Sequence, residues 1–264
     1  MASTIGLLDP ATILYRWARN ELTFDSVLER SRRGKKVRVL QEWLSLQGLG
    51  VAIDGDFGPA TERAVSLFQE RIGIQVTGKV DDETFLMLTA PILRALAPID
   101  PLEMTYLEIV VAYARQHLAQ HPMEIGGQNM GPWVRLYMQG NDGTPWAWCA
   151  GFVCFILHQA ADTLKIKSPV RTTFSCDVLA ERAKDGGRFI SEKSVRDGSF
   201  PTPGTIFLVR RSSIDWTHTG LVIGAEDNVF ETIEGNTNDE GSREGYEVCH
   251  RFRGYKKKDF VRIE

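Results

Sequence analysis

Apolar spacing divides the chain into a helix-patterned front and a strand-patterned back. Asp9-Pro10 reads as a helix N-cap with proline at the first helical position. Leu14, Trp17 and Ala18 form one stripe and Phe24, Val27 and Leu28 a second, predicting two short helices ending near Gly34. Val37, Leu40 and Leu44, then Ala64, Val65 and Phe68, continue the helical spacing. Thr105 to Leu118 is a further predicted helix, with Ile109, Ala112, Tyr113 and Gln116 on successive turns. After a glycine-rich loop (Gly126 to Gly131) and Trp133 to Met138, Cys149 to Leu164 carries Val153, Ile156, Leu157 and Ala160 at i, i+3, i+4 and i+7, a helix with one face on a core. Ser175 is a candidate N-cap for a helix to Lys184, closed by Gly186-Gly187. From Pro201 the pattern changes to short strands at Thr205–Arg210, His218–Gly224, Val229–Glu234, Glu247–Phe252 and Phe260–Ile263. The expected class is α+β: helices on an antiparallel sheet, preceded by a small all-α three-helix domain.

An internal repeat supports that first domain. Gly55 and Gly78 are each followed two residues later by an apolar residue (Phe57, Val80) and six later by a threonine (Thr61, Thr84). Each copy reads as a tight turn with an apolar plug, feeding a helix that begins near the threonine. Pro91, Pro98 and Pro101 punctuate the next stretch. The expected organisation is an N-terminal helical extension (1–34), a three-helix domain (35–90), a linker (91–104) and a second domain (105–264).

With 43% apolar and 25% charged residues the composition is that of an ordinary globular protein. A net charge of −3 gives no reason to expect nucleic acid as a partner, and the basic runs at Arg30–Arg38 and Lys256–Lys258 read as solvated faces. The four cysteines (149, 154, 176, 249) show neither zinc-ligand spacing nor a disulfide framework, so no metal or cofactor is expected. Asp54-x-Asp56 lacks the remaining ligands of a calcium loop. No Sec leader is read in the first twenty residues, and no stretch is long enough to insert in a membrane.

Cys149 follows Gly143-Thr-Pro-Trp-Ala-Trp148 and opens a helix, where unpaired amides and the helix dipole favour a thiolate. Cys154 falls within the apolar run, Cys176 lies one residue past an N-cap and is a second candidate, and Cys249 sits in a late strand. His218 opens an apolar strand flanked by small residues, whereas His117, His121 and His158 read as surface or capping residues. Alternation places Phe230, Thr232, Glu234 and Asn236 on one strand face, so either Glu234 or Asn236 is available to orient the imidazole. A thiol, a base and an orienting group are the parts of a cysteine hydrolase.

Two resemblances add to this. Val39-Leu-Gln-Glu-Trp-Leu44, Asp54-Gly-Asp-Phe-Gly-Pro-Ala-Thr61, Ala64-Val-Ser-Leu-Phe-Gln69 and Gly78-Lys-Val-Asp-Asp-Glu-Thr84 resemble a three-helix peptidoglycan-binding domain, which implies retention on cell-wall polymer. Pro145-Trp-Ala-Trp-Cys-Ala-Gly-Phe-Val153, Pro203-Gly-Thr-Ile-Phe207, Thr217-His-Thr-Gly-Leu-Val-Ile-Gly224 and Glu234-Gly-Asn236 resemble the CHAP family of cysteine, histidine-dependent amidohydrolases/peptidases. That resemblance implies a papain-like catalytic domain with Cys149 as nucleophile, His218 as base and Glu234 as orienting residue, Asn236 close by. Candidate substrate contacts are Trp146, Trp148 and Trp216 there, and Asp54 and Phe57 in the binding module. The implied activity is cleavage of amide bonds in peptidoglycan stem peptides or crosslinks, as an amidase or endopeptidase. Without a leader, the chain is expected to be made in the cytoplasm and to reach the wall as a phage endolysin through holin pores or as an injected antibacterial effector, the latter with an immunity protein. The rival expectation is a non-catalytic wall-binding or phage structural protein keeping a hydrolase fold.

Overall fold

The structure is a computed structural model that describes residues 7–238 and 245–263. The first six positions of the expected N-terminal extension therefore lie outside the described residues. In chain order the helices are α1 (Arg16–Leu22), α2 (Lys35–Leu46), α3 (Pro59–Ile72), α4 (Asp82–Leu96), α5 (Tyr106–Leu118), α6 (Pro132–Tyr137), α7 (Cys149–Thr163), α8 (Cys176–Asp185) and α9 (Glu192–Arg196). The strands are β1 (Phe189–Ile190), β2 (Ile206–Ser212), β3 (Asp215–Ala225), β4 (Phe230–Thr237), β5 (Glu247–Arg253) and β6 (Lys258–Val261). This is the expected α+β class. The chain forms two compact units, one running up to Ala97 and including Met123–Gly143, the other made of Pro98–Pro122 and everything from Thr144.

In the first unit the repeat has a physical basis in two buried glutamines. The Gln41 amide donates to Asp54 Oδ1 (2.9 Å), Asp56 O (3.1 Å) and Thr61 Oγ1 (3.2 Å) and accepts from the Gly55 N–H (2.8 Å). Gln69 does the same one repeat later, donating to Thr77 Oγ1, Lys79 O and Thr84 Oγ1 and accepting from the amides of Thr77 and Gly78. Each glutamine thus closes one turn, satisfying groups that would otherwise be buried unpaired. Gly55 and Gly78 take φ of 76° and 67°, the left-handed region open to glycine. The plugs Phe57 and Val80 are fully buried, and each following helix begins two residues before its threonine.

Several expectations are corrected here. Asp9-Pro10 starts only a single 3₁₀ turn, with α1 after it. The stretch from Phe24 to Gly34 is not a helix, because its backbone pairs outward with the two repeat turns. Leu28 exchanges both backbone hydrogen bonds with Val80 (3.0 and 2.8 Å), and Arg32 and Gly34 bond to Phe57 and Gly55. Helix α4 runs through Pro91 to Leu96, since Ile92, Leu93, Ala95 and Leu96 continue its buried stripe, so the linker does not begin at Pro91.

The largest departure is Met123–Gly143, which returns to the first unit instead of joining the second domain. Arg135 on α6 is the tie. Its buried guanidinium makes a fork with Glu21 (2.7 and 2.9 Å) and reaches Glu42 (2.6 Å) and Asp142 (2.7 Å). Trp17 also donates to Leu136 O (2.8 Å), and Trp133 packs edge-on to Trp43. Removing one partner of a buried charge cluster leaves the others uncompensated. Arg135→Leu is therefore expected to destabilise the first unit by about 3–5 kcal/mol, measured as a lower midpoint in chemical denaturation.

The second unit is an antiparallel sheet of order β1-β6-β2-β3-β4-β5 with helices packed against it. Thr105 and Glu108 cap α5 reciprocally. Helix α7 is buried nearly all round, not along one stripe, because α5 covers it on one side and β3 and β4 on the other. The short elements β1 and α9 carry too few residues to show a period, and the sequence pattern misses them. Among the described residues no helix is long and apolar enough to cross a membrane.

Candidate active site

Three elements of the second unit meet at the first residue of α7. Trp148, the N-cap residue, offers no side-chain cap, so the opening amides of α7 point toward the Cys149 end. Strand β3 supplies His218 and β4 supplies Glu234. Two glycines allow the close fit. A Cβ on Gly235 would lie 2.7 Å from Phe152 Cβ and 2.8 Å from the Trp148 ring, and one on Gly220 would lie 2.7 Å from Glu234 Cγ. Strand β4 can therefore seat against the start of α7, and β3 against Glu234, only without those side chains.

The contacts form a chain. His218 faces the Cys149 sulfur on one side, near enough for the two charges to stabilise each other, and its Nε2 lies 2.7 Å from Glu234 Oε2 on the other. Glu234 is fully buried and also accepts from Thr232 Oγ1 (2.5 Å) and from the Arg253 fork, Nε to Oε1 and Nη2 to Oε2, both at 2.5 Å. Arg253 lies against the Phe207 ring as well, 5.4 Å from its centroid. A carboxylate so surrounded by donors is orientationally fixed.

The same contacts set the electrostatics. Burial pushes the Glu234 carboxyl up, but the bonds and charges of Arg253 and His218 outweigh it and bring it down to about 2. Burial pulls His218 down, yet its bonds to Cys149 and Glu234 and their charges raise it to about 9. The Cys149 thiol is held well below its ordinary value, first by a hydrogen bond from Cys176, then by His218 and the Ala150 amide, against the cost of burial. Both shifts run in the direction that favours a thiolate beside an imidazolium.

Cys176 is the neighbour that sequence reasoning underweighted. It opens α8, and its sulfur lies 3.8 Å from that of Cys149. The bond to Cys149, burial and the Cys149 charge all push its thiol upward. Asp177, the next residue, accepts from the Trp216 N–H (2.6 Å), two positions before His218. The start of α8 thus fixes both the sulfur environment and the entry to β3.

The other sequence candidates fall differently. Asn236 has φ of 54°, which breaks the strand alternation expected to align it with Glu234. Its amide, oriented to satisfy both partners, accepts from the Trp148 N–H (3.2 Å) and donates to Gly245 O (2.7 Å), leaving the ring nitrogen of His218 to Glu234. Trp148 is fully buried and Trp216 nearly so, with its indole N–H on Asp259 (2.9 Å), so both are framework instead of contact surface. Trp146, half-buried and edge-on to Phe174, retains an accessible face. In the first unit Phe57 is a fully buried plug and Asp54 is engaged by Gln41 and the Asp56 amide, so turn formation accounts for both.

Cys154 is buried, donates to Thr173 O (3.5 Å) and is pushed up to about 11 by that burial. His117, expected at the surface or in a cap, is fully buried and bonded to Gln159 (2.9 Å). His158 bonds Thr172. Among the described residues no group of three His, Cys, Asp or Glu side chains is arranged to hold a metal ion.

Residues 33–88 match the model of a family described as "Putative peptidoglycan binding domain". No curated protein matches the chain. Among solved structures, the N-terminal domain of SleB is 35% identical over 25% of this chain and 94% of its own, with a TM-score of 0.25. A fused Zn-dependent amidase/peptidase/peptidoglycan-binding domain-containing protein from Clostridium acetobutylicum ATCC 824 is 25% identical over 38% of this chain and 48% of its own, also with a TM-score of 0.25. By the family match, residues 33–88 of the first unit form a peptidoglycan-binding domain.

Proposed function

We propose that the chain is a peptidoglycan hydrolase of the CHAP type, in which the first unit holds the polymer and Cys149 cuts amide bonds of its peptides. The observation that carries this reading is the Cys149–His218–Glu234 chain at the start of α7. The Cys149 thiolate attacks the amide carbonyl carbon, and the opening amides of α7 receive the developing oxyanion. The His218 imidazolium gives its proton to the leaving amine, producing a thioester. Neutral His218 then takes a proton from water, which attacks the thioester and releases the carboxylate. Glu234 holds the imidazole in place and favours its charged form, and Arg253 and Thr232 position Glu234. Tethering the site to a wall-binding domain raises the local concentration of substrate.

Clearing of purified peptidoglycan suspensions across pH tests the mechanism. His218 is raised from 6.5 to about 9, so its proton is present at neutral pH and is lost as pH rises through about 9. kcat/KM is expected to be flat above neutrality and to fall tenfold per unit beyond about pH 9. A rate that keeps rising through that range would mean that the thiol is ionised only by hydroxide and that no preformed ion pair exists.

A further inference from the structure

We propose that Cys149 and Cys176 form a peroxide-responsive pair in which a hydroperoxide oxidises Cys149 and Cys176 then closes a reversible disulfide that switches the site off. This rests on Cys149 being the reactive thiolate of the reading above, and adds a role that hydrolysis does not require of Cys176.

The placement favours it. The two thiols occupy the first positions of α7 and α8, and the Ala150 amide at the start of α7 helps to hold the Cys149 sulfur as the charged partner. Their sulfurs are 3.8 Å apart, so about 1.8 Å of closure brings them to disulfide length. The residue that hydrogen-bonds to the reactive sulfur is therefore also poised to trap it. Substrate must reach Cys149 for hydrolysis, and a hydroperoxide is smaller than any peptide.

The chemistry balances with the hydroperoxide as the only added reagent. The Cys149 thiolate attacks one peroxide oxygen and the O–O bond breaks. The leaving oxygen takes the proton of the His218 imidazolium, giving a sulfenic acid, neutral His218 and water or an alcohol. Conversion to the sulfenic acid removes the negative charge that opposes ionisation of Cys176. The Cys176 sulfur then attacks the Cys149 sulfur, its proton leaves with the hydroxyl as water, and the S–S bond forms. Two sulfurs lose one electron each and the peroxide gains both. Without Cys176 the sulfenic acid loses the thiol that lies 3.8 Å from it and oxidises further to sulfinic acid, which thiols do not reverse.

The test treats reduced, thiol-free, full-length protein with excess hydrogen peroxide. Free thiols are then alkylated and unreduced peptides are mapped by mass spectrometry. The expected product is a peptide pair linked through Cys149 and Cys176, with Cys154 and Cys249 alkylated. Lytic activity should be lost and then regained on adding dithiothreitol. In Cys176→Ser and Cys176→Ala, each compared with its own untreated activity, peroxide is expected to give sulfinic or sulfonic acid at Cys149 and a loss that dithiothreitol does not reverse. Wild-type protein that accumulates sulfinic acid at Cys149, or links either residue to another cysteine, would overturn the inference whether or not the variants fold. The mapping does not depend on lysis. A chain that lyses walls but never forms the pair refutes this inference alone, and one that forms the pair but never lyses refutes the hydrolase reading alone.

Discussion

Cys149→Ala is expected to lower the rate of peptidoglycan cleavage by about 10⁴-fold or more, while retention on wall polymer is unchanged. Removing the nucleophile of a triad typically leaves only the contribution of binding and oxyanion donors, which explains the size of the effect. Retention survives because the peptidoglycan-binding domain lies in the other unit, with its own buried glutamine-locked turns. Cys154→Ala supplies the contrast. Its sulfur is bonded to a backbone carbonyl and pushed up to about 11, so only a packing cost is expected. Sedimentation with insoluble peptidoglycan and clearing assays on the same preparations separate the two functions. Equal clearing by Cys149→Ala and wild type would remove Cys149 from the mechanism.

The second large effect is expected at Glu234. Glu234→Gln keeps the shape but loses the charge that holds His218 protonated and leaves the Arg253 fork facing a neutral amide. The predicted loss in kcat/KM is on the order of 10³–10⁴-fold, the range known for neutralising a triad carboxylate. A merely structural role would lower the rate without moving its pH dependence. Here the alkaline limb should also shift below about 9, because Glu234 is one of the two groups that raise His218. Asn236→Ala should cost less and leave that limb in place, since its amide serves the Trp148 N–H and the Gly245 carbonyl. A larger rate loss at Asn236 than at Glu234 would assign the orienting role the other way.

How much of this could be read from the amino acids follows from the range of the interactions. The repeat around Gly55 and Gly78 was visible because turn glycine, plug and threonine sit at fixed short offsets. The glutamines that lock those turns stand 14 and 9 positions from the glycine they bond, and no local pattern marks them. Cys149 stood out because a helix start is a local signal, and His218 because it opens a strand. Cys176 and Arg253 did not, because their roles come from tertiary neighbours 27 and 19 residues away. Arg253 lies one residue past the expected end of its strand, at the position paired with Phe230. The return of Met123–Gly143 to the first unit was equally hidden. Its signal is Arg135, an ordinary-looking cation whose partners Glu21 and Glu42 are 114 and 93 residues distant. Period-two counting aligns Asn236 with Glu234 because it assumes a regular strand, and a left-handed residue ends that regularity.

The most direct test of the central claim is mass spectrometry of the fragments released from purified peptidoglycan by wild-type protein and by Cys149→Ala. The thiolate mechanism predicts new free amino groups from wild type: on intact stem peptides freed from glycan if the muramoyl amide is cut, or within the peptides if a stem or crosslink bond is cut. Cys149→Ala should release none. Absence of new fragments from several wall types with wild-type protein, or the same fragments with the variant, would contradict it.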